Sequence, residues 1–146
     1  MARIKLAYPE KTVFTCEKRV DPADVSPAKH LRFDRMVSYL LEVLDDYFET
    51  LGIIRIPDQP RGFIVADLAV TFKDEAPIHE ELAIETGIGD VYTKGIEFYF
   101  RIRIARNGKP VSVAKIGVVF FDYTRRKAIP VPSPFRACLR SLDQAR

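Results

Sequence analysis

The sequence contains few of the side chains that crosslink small domains or bind metals. Its 146 residues include only two cysteines, Cys16 and Cys138, and two histidines, His30 and His79. Two cysteines cannot build a disulfide framework, and no spacing among these four residues matches a zinc site. The sequence therefore excludes a disulfide-stapled or structural-zinc domain, and we expect no bound metal.

Long apolar runs and a large excess of one charge are also missing. No segment approaches the roughly 18 apolar residues of a membrane span, and residues 1–11 lack the apolar run of a signal peptide. The formal net charge is +3, from 23 basic and 20 acidic side chains, which gives no argument for a nucleic-acid partner. These absences predict a soluble, cytoplasmic protein without a membrane or nucleic-acid partner.

The apolar content is sufficient for one hydrophobic core. Apolar residues make up 47% of the chain, and a domain of this length buries roughly 70% of the surface of its unfolded chain. The sequence contains no internal repeat, low-complexity segment or linker. We therefore expect residues 1–146 to form a single domain.

One segment has strong helical periodicity. From Phe33 to Leu51, apolar side chains recur every three or four residues and cover well over half of the helix circumference. Such a helix needs burial on most sides, and Gly52 is a suitable residue for its end. Prolines and a glycine predict a loop at residues 56–62, and a shorter helix is predicted from Phe135 to Gln144.

The remainder of the chain is rich in strand patterns. Strands are predicted at about residues 11–20, 64–72, 82–88, 96–104 and 111–123. In the second strand, one face is expected to carry Ile64, Ala66, Leu68, Val70 and Phe72. The fourth strand alternates apolar with polar side chains from Ile96 to Ile104, and Asn107-Gly108 predicts a tight hairpin turn after it.

An antiparallel sheet with one apolar face must cover that face. The helix at residues 33–51 is the only predicted element large enough to do so. The sequence therefore predicts an α+β fold in which a five-stranded antiparallel sheet wraps around one long central helix.

Several segments form a recognisable pattern in this order: the loop at 24–30, the helix end at 46–52, strand segments at 70–72 and 82–86, Ala76-Pro77, and the run from 121 to 132. Together they resemble the hotdog-fold thioesterases, in particular 4-hydroxybenzoyl-CoA thioesterase and related acyl-CoA thioesterases. This resemblance covers about residues 11–134. It implies a hotdog fold, hydrolysis of an acyl or aroyl thioester of coenzyme A, and no cofactor beyond the coenzyme A of the substrate.

The same resemblance implies a homodimer, or a tetramer built from dimers, with each active site at a subunit interface. The two sheets of such a dimer join edge to edge. Strand two is apolar on both faces from Phe63 to Val70, and we expect it at this join. Asp67, on the less apolar face of that strand, is expected to line a pocket or an interface, or simply to be exposed to solvent.

The expected catalytic loop departs from the family pattern. The family has two aspartates in a D-x-D motif, of which the second is catalytic. In this sequence Asp24 takes the first position, but Ser26 takes the second. The glycine that follows is replaced by Lys29, and the polar pair after His30 is replaced by Arg32-Phe33.

Four residues are therefore candidates for the catalytic role: Ser26, Asp24, His30 and Asp34. His30 lies four positions after Ser26, so a serine–histidine pairing is possible. Each candidate also has a purely structural interpretation. Ser26 could cap a turn, Asp24 could form one, His30 could satisfy backbone groups at the helix start, and Asp34 is favoured in a first helical turn by the helix dipole.

Basic residues are candidates for binding the phosphates of coenzyme A. By resemblance these are Lys94-Gly95 at the start of the fourth strand and Arg125, Arg126 and Lys127 after the fifth. Arginine binds phosphate through two parallel hydrogen bonds. A solvated basic loop is an equally good interpretation of this run.

Two functional classes remain open after this reading. The first is an acyl-CoA thioesterase-like hydrolase in which Ser26 replaces the family aspartate. The alternative is a non-catalytic hotdog module that binds an acyl thioester or another small ligand. A hotdog dehydratase or hydratase is less expected, because the segment from His30 to Phe33 does not supply the histidine and carboxylate of that class.

Overall fold

The computed structural model describes residues 1–52 and 61–144. Its elements, in chain order, are β1 (Thr12–Arg19), α1 (Phe33–Thr50), β2 (Arg61–Phe72), β3 (Glu81–Val91), β4 (Gly95–Ile104), β5 (Pro110–Asp122), β6 (Lys127–Ala128) and α2 (Ser133–Gln144), with a 3₁₀ turn at Pro22–Asp24 before α1. Within the described ranges, no helix is long and apolar enough to cross a membrane.

The strands form one antiparallel sheet in the order β1-β3-β4-β5-β2. β1 and β2 are therefore its two edge strands. The short strand β6 pairs with the end of β5, where the sequence predicted only a proline-rich connection. The predicted five-stranded antiparallel sheet is confirmed, with this two-residue addition.

The inner face of the sheet packs against α1. In β4 the alternating apolar side chains from Ile96 to Ile104 are buried, as predicted. On α1 the buried side chains are Met36, Tyr39, Leu40, Val43, Leu44, Tyr47 and Phe48. The predicted arrangement of a sheet wrapped on one long helix is confirmed, and Gly52 follows the helix with a positive φ of 73°.

The second helix closes one end of this core. Phe135 of α2 is completely buried, and its ring centroid lies 4.9 Å from that of Phe48 and 5.4 Å from that of Phe120. Arg136 fixes the start of α2, because its guanidinium donates hydrogen bonds to the carbonyls of Val131 and Thr93. α2 thus covers the C-terminal end of α1 with an aromatic plug.

The predicted alternation in β2 is wrong at its start. A bulge between Val65 and Asp67 shifts the register of pairing with β5. Phe63 lies opposite the buried Phe120, whereas Ile64 lies opposite Val119 on the outer face. A bulge inserts one extra residue into a strand. The residues before the bulge therefore point to the face opposite to the one that strict alternation predicts for them. The inner face therefore carries Phe63, Val65, Leu68, Val70 and Phe72.

Three predicted boundaries also differ from the structure. Arg61 and Gly62 belong to β2 rather than to the predicted loop, of which 56–60 lie outside the described residues. The connection between β4 and β5 is longer than a two-residue turn, because it is closed by a hydrogen bond from Ile104 N–H to the carbonyl of Lys109. Of the predicted turn residues Asn107 and Gly108, only Gly108 has a positive φ. α2 begins at Ser133, two residues before the predicted start.

Replacing Phe135 by alanine is expected to destabilise the fold by about 3–5 kcal/mol, because it removes a buried ring and leaves a cavity. Chemical denaturation of the variant measures this loss. Arg140→Ala, on the exposed side of the same helix, is the control and should change stability by less than about 0.5 kcal/mol. Equal effects of the two changes would contradict the role of α2 as a plug.

Candidate functional site

The segment before α1 folds into a small hairpin that presents Ser26 and His30. Ser26 N–H bonds to the carbonyl of His30 at 2.9 Å, and Lys29 N–H bonds to the carbonyl of Ser26 at 2.8 Å. Lys29 closes the turn with a φ of 65°, a conformation that normally favours glycine. A glycine would adopt this backbone conformation without strain.

The hairpin is fixed against the loop that joins β2 to β3. Leu31 N–H bonds to the carbonyl of Ala76 at 2.8 Å, and Ile78 N–H bonds to the carbonyl of Lys29 at 2.9 Å. His30 and Pro77 form an isolated antiparallel bridge between these bonds. Backbone hydrogen bonds on both sides therefore hold the loop at residues 26–31 in place.

This loop leads directly into the N-terminus of α1. Arg32 is the N-cap residue, but its side chain makes no capping hydrogen bond, and the first intrahelical bond runs from Met36 N–H to Arg32 O. The N–H groups of the first turn thus have no acceptor within the helix and can bind an anion. Asp34, a catalytic candidate in that turn, is paired through both carboxylate oxygens with the Arg32 guanidinium at 3.1 and 3.2 Å.

Asp24 is held by the helix rather than left available as a base. The Tyr39 hydroxyl donates to Asp24 Oδ2 at 2.7 Å, and Arg35 Nε lies 3.4 Å from Asp24 Oδ1. The same hydroxyl accepts a hydrogen bond from Asp21 N–H at 3.1 Å. Tyr39 is only 7% exposed, and burial, together with its bond to the Asp24 carboxylate, raises its pKa to about 12.

His30 has a carboxylate partner that the sequence reasoning missed. His30 Nε2 lies 3.0 Å from Glu75 Oε2 in the loop between β2 and β3. The neighbouring Asp74 pairs instead with Lys109 at 2.7 Å, and this bond holds the pKa of Asp74 below its usual value. The two successive acidic residues directly before Ala76-Pro77 could have indicated a carboxylate partner for His30. Only the fold shows which of the two contacts the histidine.

The basic candidates lie at the other end of the sheet. Lys94 and Gly95 are at the turn from β3 to β4, and Arg125, Arg126 and Lys127 follow β5. The Ser26 loop contacts the opposite end, where β2 stops and β3 starts. β4 alone separates these ends by about 30 Å. Within one chain, the structure does not bring the two groups together.

Packing explains one of these basic-loop positions. A Cβ atom at Gly95 would lie 2.7 Å from the carbonyl oxygen of Val118, so β5 approaches too closely for any larger residue. The turn after β5 is organised by Asp122, whose Oδ1 accepts hydrogen bonds from Thr124 and Arg125 N–H. Arg125, Arg126 and Lys127 project from this turn as exposed side chains.

Asp67 and two other polar side chains, Cys16 and Arg101, lie outside the loop that carries Ser26. Asp67 is on the outer face at the β2 bulge, where it pairs with Lys115 at 3.1 Å and accepts a bond from Gly117 N–H. Cys16 faces α1, with its thiol 3.8 Å from Asp46 Oδ2. Arg101 forms two hydrogen bonds with Glu85 on the outer face. In the part of the chain that the structure describes, no cluster of three His, Cys, Asp or Glu residues could hold a metal ion.

Comparison with known proteins identifies the family. Residues 20–139 match the model of the thioesterase-like superfamily, and the chain belongs to this superfamily. The matched range includes the Ser26 loop, α1, the whole of β2 to β6, and the first half of α2. The hotdog fold and the thioesterase resemblance predicted from the sequence are thereby confirmed.

Individual relatives have low sequence identity to this chain but align with most of its length. The acyl-CoA thioesterase YbgC of Haemophilus influenzae is 25% identical over 111 residues, which cover 74% of this chain and 80% of that protein. The 1,4-dihydroxy-2-naphthoyl-CoA thioesterase Slr0204 of Synechocystis superposes with a TM-score of 0.79 at 18% identity, over 89% of this chain and 97% of the other. SAV2348 of Staphylococcus aureus, solved in complex with CoA, superposes with a TM-score of 0.81 at 12% identity, over 94% and 87% of the two chains.

The contacts of Tyr39 predict a pH dependence of stability. Its folded-state pKa of about 12 exceeds the ordinary value of 10.0, so the neutral phenol favours the folded state. This contribution is complete below pH 10 and is lost as the pH rises toward 12. Tyr39→Phe should therefore cost about 1–2 kcal/mol at pH 8, and its difference from wild type should narrow between pH 10 and 11.

Urea denaturation at a series of pH values checks this expectation. Ser38→Ala is the control on the same helix, because it removes a hydroxyl that donates to Asp34 O but does not titrate. Its difference from wild type should stay constant with pH. A Tyr39→Phe difference that does not change up to pH 11 would rule out the proposed linkage.

Proposed function

We propose that this protein hydrolyses an acyl or aroyl thioester of coenzyme A. The observation that carries the proposal is the fixed Ser26 loop at the N-terminus of α1. A thioester carbonyl bound there would have the N–H groups of the first helical turn as donors for its developing negative charge. The membership of the chain in the thioesterase-like superfamily supports this assignment.

Hydrolysis also needs a group that supplies or activates an oxygen nucleophile. Of the four candidates, Asp24 and Asp34 already have their carboxylates bound by neighbouring side chains. Among the described residues, no neighbouring side chain binds the hydroxyl of Ser26 or the second ring nitrogen of His30. These contacts favour Ser26 and His30 as the reacting groups and give Asp24 and Asp34 the role of shaping the loop.

We propose that the functional unit is a homodimer joined through β2. This strand is an edge of the sheet, and three of its inner-face side chains remain 41–45% exposed: Val65, Leu68 and Phe72. A long apolar edge is normally paired or covered. A second copy of the same strand supplies both backbone partners and apolar cover, and Phe33 at the start of α1 is a further exposed apolar side chain for this interface.

Such a dimer would also bring the separated candidates together. In an antiparallel pair of β2 strands, the start of one strand lies beside the end of the other. β2 starts opposite Asp122, which precedes the basic turn, and ends near the loop that holds His30. The Arg125–Lys127 turn of one copy would therefore approach the Ser26 loop of the other and could bind the phosphates of coenzyme A.

The non-catalytic binding module remains a second candidate, because a specific observation favours it. The resemblance implies that Ser26 replaces the family's catalytic aspartate, and the nearby Asp24 has both carboxylate oxygens engaged. A module of this kind would bind coenzyme A esters saturably without turning them over. On this alternative, Ser26→Asp is expected to introduce thioester cleavage that the wild type lacks.

A panel of acyl- and aroyl-CoA esters, with thiol release as the readout, tests the proposed activity. We expect cleavage by the wild type and a loss in kcat of about 100-fold or more in Ser26→Ala. Asp24→Asn should lower activity less, because it loosens the loop without removing a reacting group. Ser133→Ala, at the distant start of α2, is the matched control, and no cleavage of any ester by micromolar wild type would contradict the proposal.

The proposed dimer predicts the effect of a charge on β2. Leu68→Lys should convert a wild-type dimer into monomers, because the lysine would place a charge in the apolar interface. Sedimentation or light scattering measures the mass. Val91→Lys introduces the same charge at an exposed position on β3, which is not an edge strand, and should remain dimeric. A monomeric wild type would exclude this assembly.

A further inference from the structure

We infer that Glu75 is a positioning residue that orients His30 as the base for Ser26. The three side chains together would replace the single carboxylate that the family resemblance places at the position of Ser26. This inference rests on the proposed function and names the groups that would perform it.

The backbone brings Ser26 and His30 to one side of the small hairpin. The hydrogen bond from Ser26 N–H to His30 O at 2.9 Å makes them opposing residues of an antiparallel pair, and the carbonyl of Ser26 accepts from Lys29 N–H. Lys29, with its positive φ, is the extra residue of a glycine-type bulge beside His30. Opposing side chains in such a pair share a face, with Cβ atoms about 4.5–5.5 Å apart, which is within reach of a hydrogen bond from Ser26 Oγ to the imidazole.

Glu75 approaches His30 from the other side. Its Oε2 lies 3.0 Å from His30 Nε2, and the backbone bonds of Leu31 and Ile78 fix the two loops on either side of this contact. A carboxylate at Nε2 favours the tautomer in which Nε2 carries the proton. Nδ1 of neutral His30 then has a lone pair that can accept the proton of Ser26 Oγ.

The exposure of these groups fits a reacting site better than a buried structural contact. The side chain of His30 is 34% exposed and that of Glu75 is 64% exposed. An ion pair this accessible contributes little to stability. Its removal should therefore affect reactivity far more than folding, and this difference separates a positioning role from a structural one.

The reaction can be written with these groups alone and water. Ser26 Oγ attacks the thioester carbonyl carbon while its proton passes to His30 Nδ1, and the carbonyl oxygen takes up the electron pair. The carbon–sulfur bond then breaks, and the departing thiolate takes the proton from His30. Water cleaves the acyl-serine ester with His30 again as the base, which releases the acid and restores the Ser26 hydroxyl.

A fluorophosphonate that labels activated serines tests the inference directly. We expect the wild type to be labelled at Ser26, as located by mass spectrometry of the digested protein. Labelling should be abolished in His30→Gln and slowed about 10- to 100-fold in Glu75→Gln. Glu75→Asp should recover part of the rate, because it keeps the carboxylate. Asp74→Asn is the matched control at the adjacent residue, whose carboxylate pairs with Lys109.

Two further readouts separate the possible outcomes. Thermal unfolding of Glu75→Gln should match that of wild type, and with an acyl-CoA substrate its kcat should fall while KM stays unchanged. An unlabelled wild type, or equal labelling of wild type and Glu75→Gln, would overturn this inference. Glu75-dependent labelling supports it even if no acyl-CoA ester is cleaved, and that second result would contradict only the proposed substrate.

Discussion

The burial of α1 against the inner face of the sheet is the constraint on which the site depends. Near the end of the helix, the rings of Tyr47 and Phe48 pack against those of Phe98 in β4 and Phe135 in α2. Because this end is fixed, the position of the N-terminus of α1 is fixed as well. The first-turn N–H groups and the Ser26 hairpin are then held at the opposite end of the core, where the apolar packing gives way to polar side chains.

The carboxylates around that N-terminus have different partners, and these partners give them different roles. Asp34 is neutralised by Arg32, and Asp24 is bound by Tyr39 and Arg35. Glu75 contacts the imidazole of His30 instead. These carboxylates differ in their partners and not in their chemistry, which is why residue type alone could not rank the four catalytic candidates.

The features that could be predicted from the sequence are those in which apolar side chains recur with a regular helix or strand period. The helix at 33–51 and the alternation from Ile96 to Ile104 each have one apolar face, so one burial pattern satisfies them. β2 is apolar on both faces, and its pattern therefore did not reveal the bulge at Val65–Asp67 that exchanges them. The pairing of His30 with Glu75 joins loops separated by 45 positions, and only the antiparallel order of the strands brings them together.

Lys29 occupies a backbone conformation that normally favours glycine. A left-handed backbone conformation is costly for a residue with a Cβ atom, by about 1–2 kcal/mol, yet Lys29 adopts it with a φ of 65°. The hydrogen bonds on both sides of the turn, from Ser26 to His30 and from Ile78 to Lys29, offset that cost. The chain thus retains the turn that a glycine would make without strain. This turn keeps Ser26 and His30 opposite each other at the entry to α1.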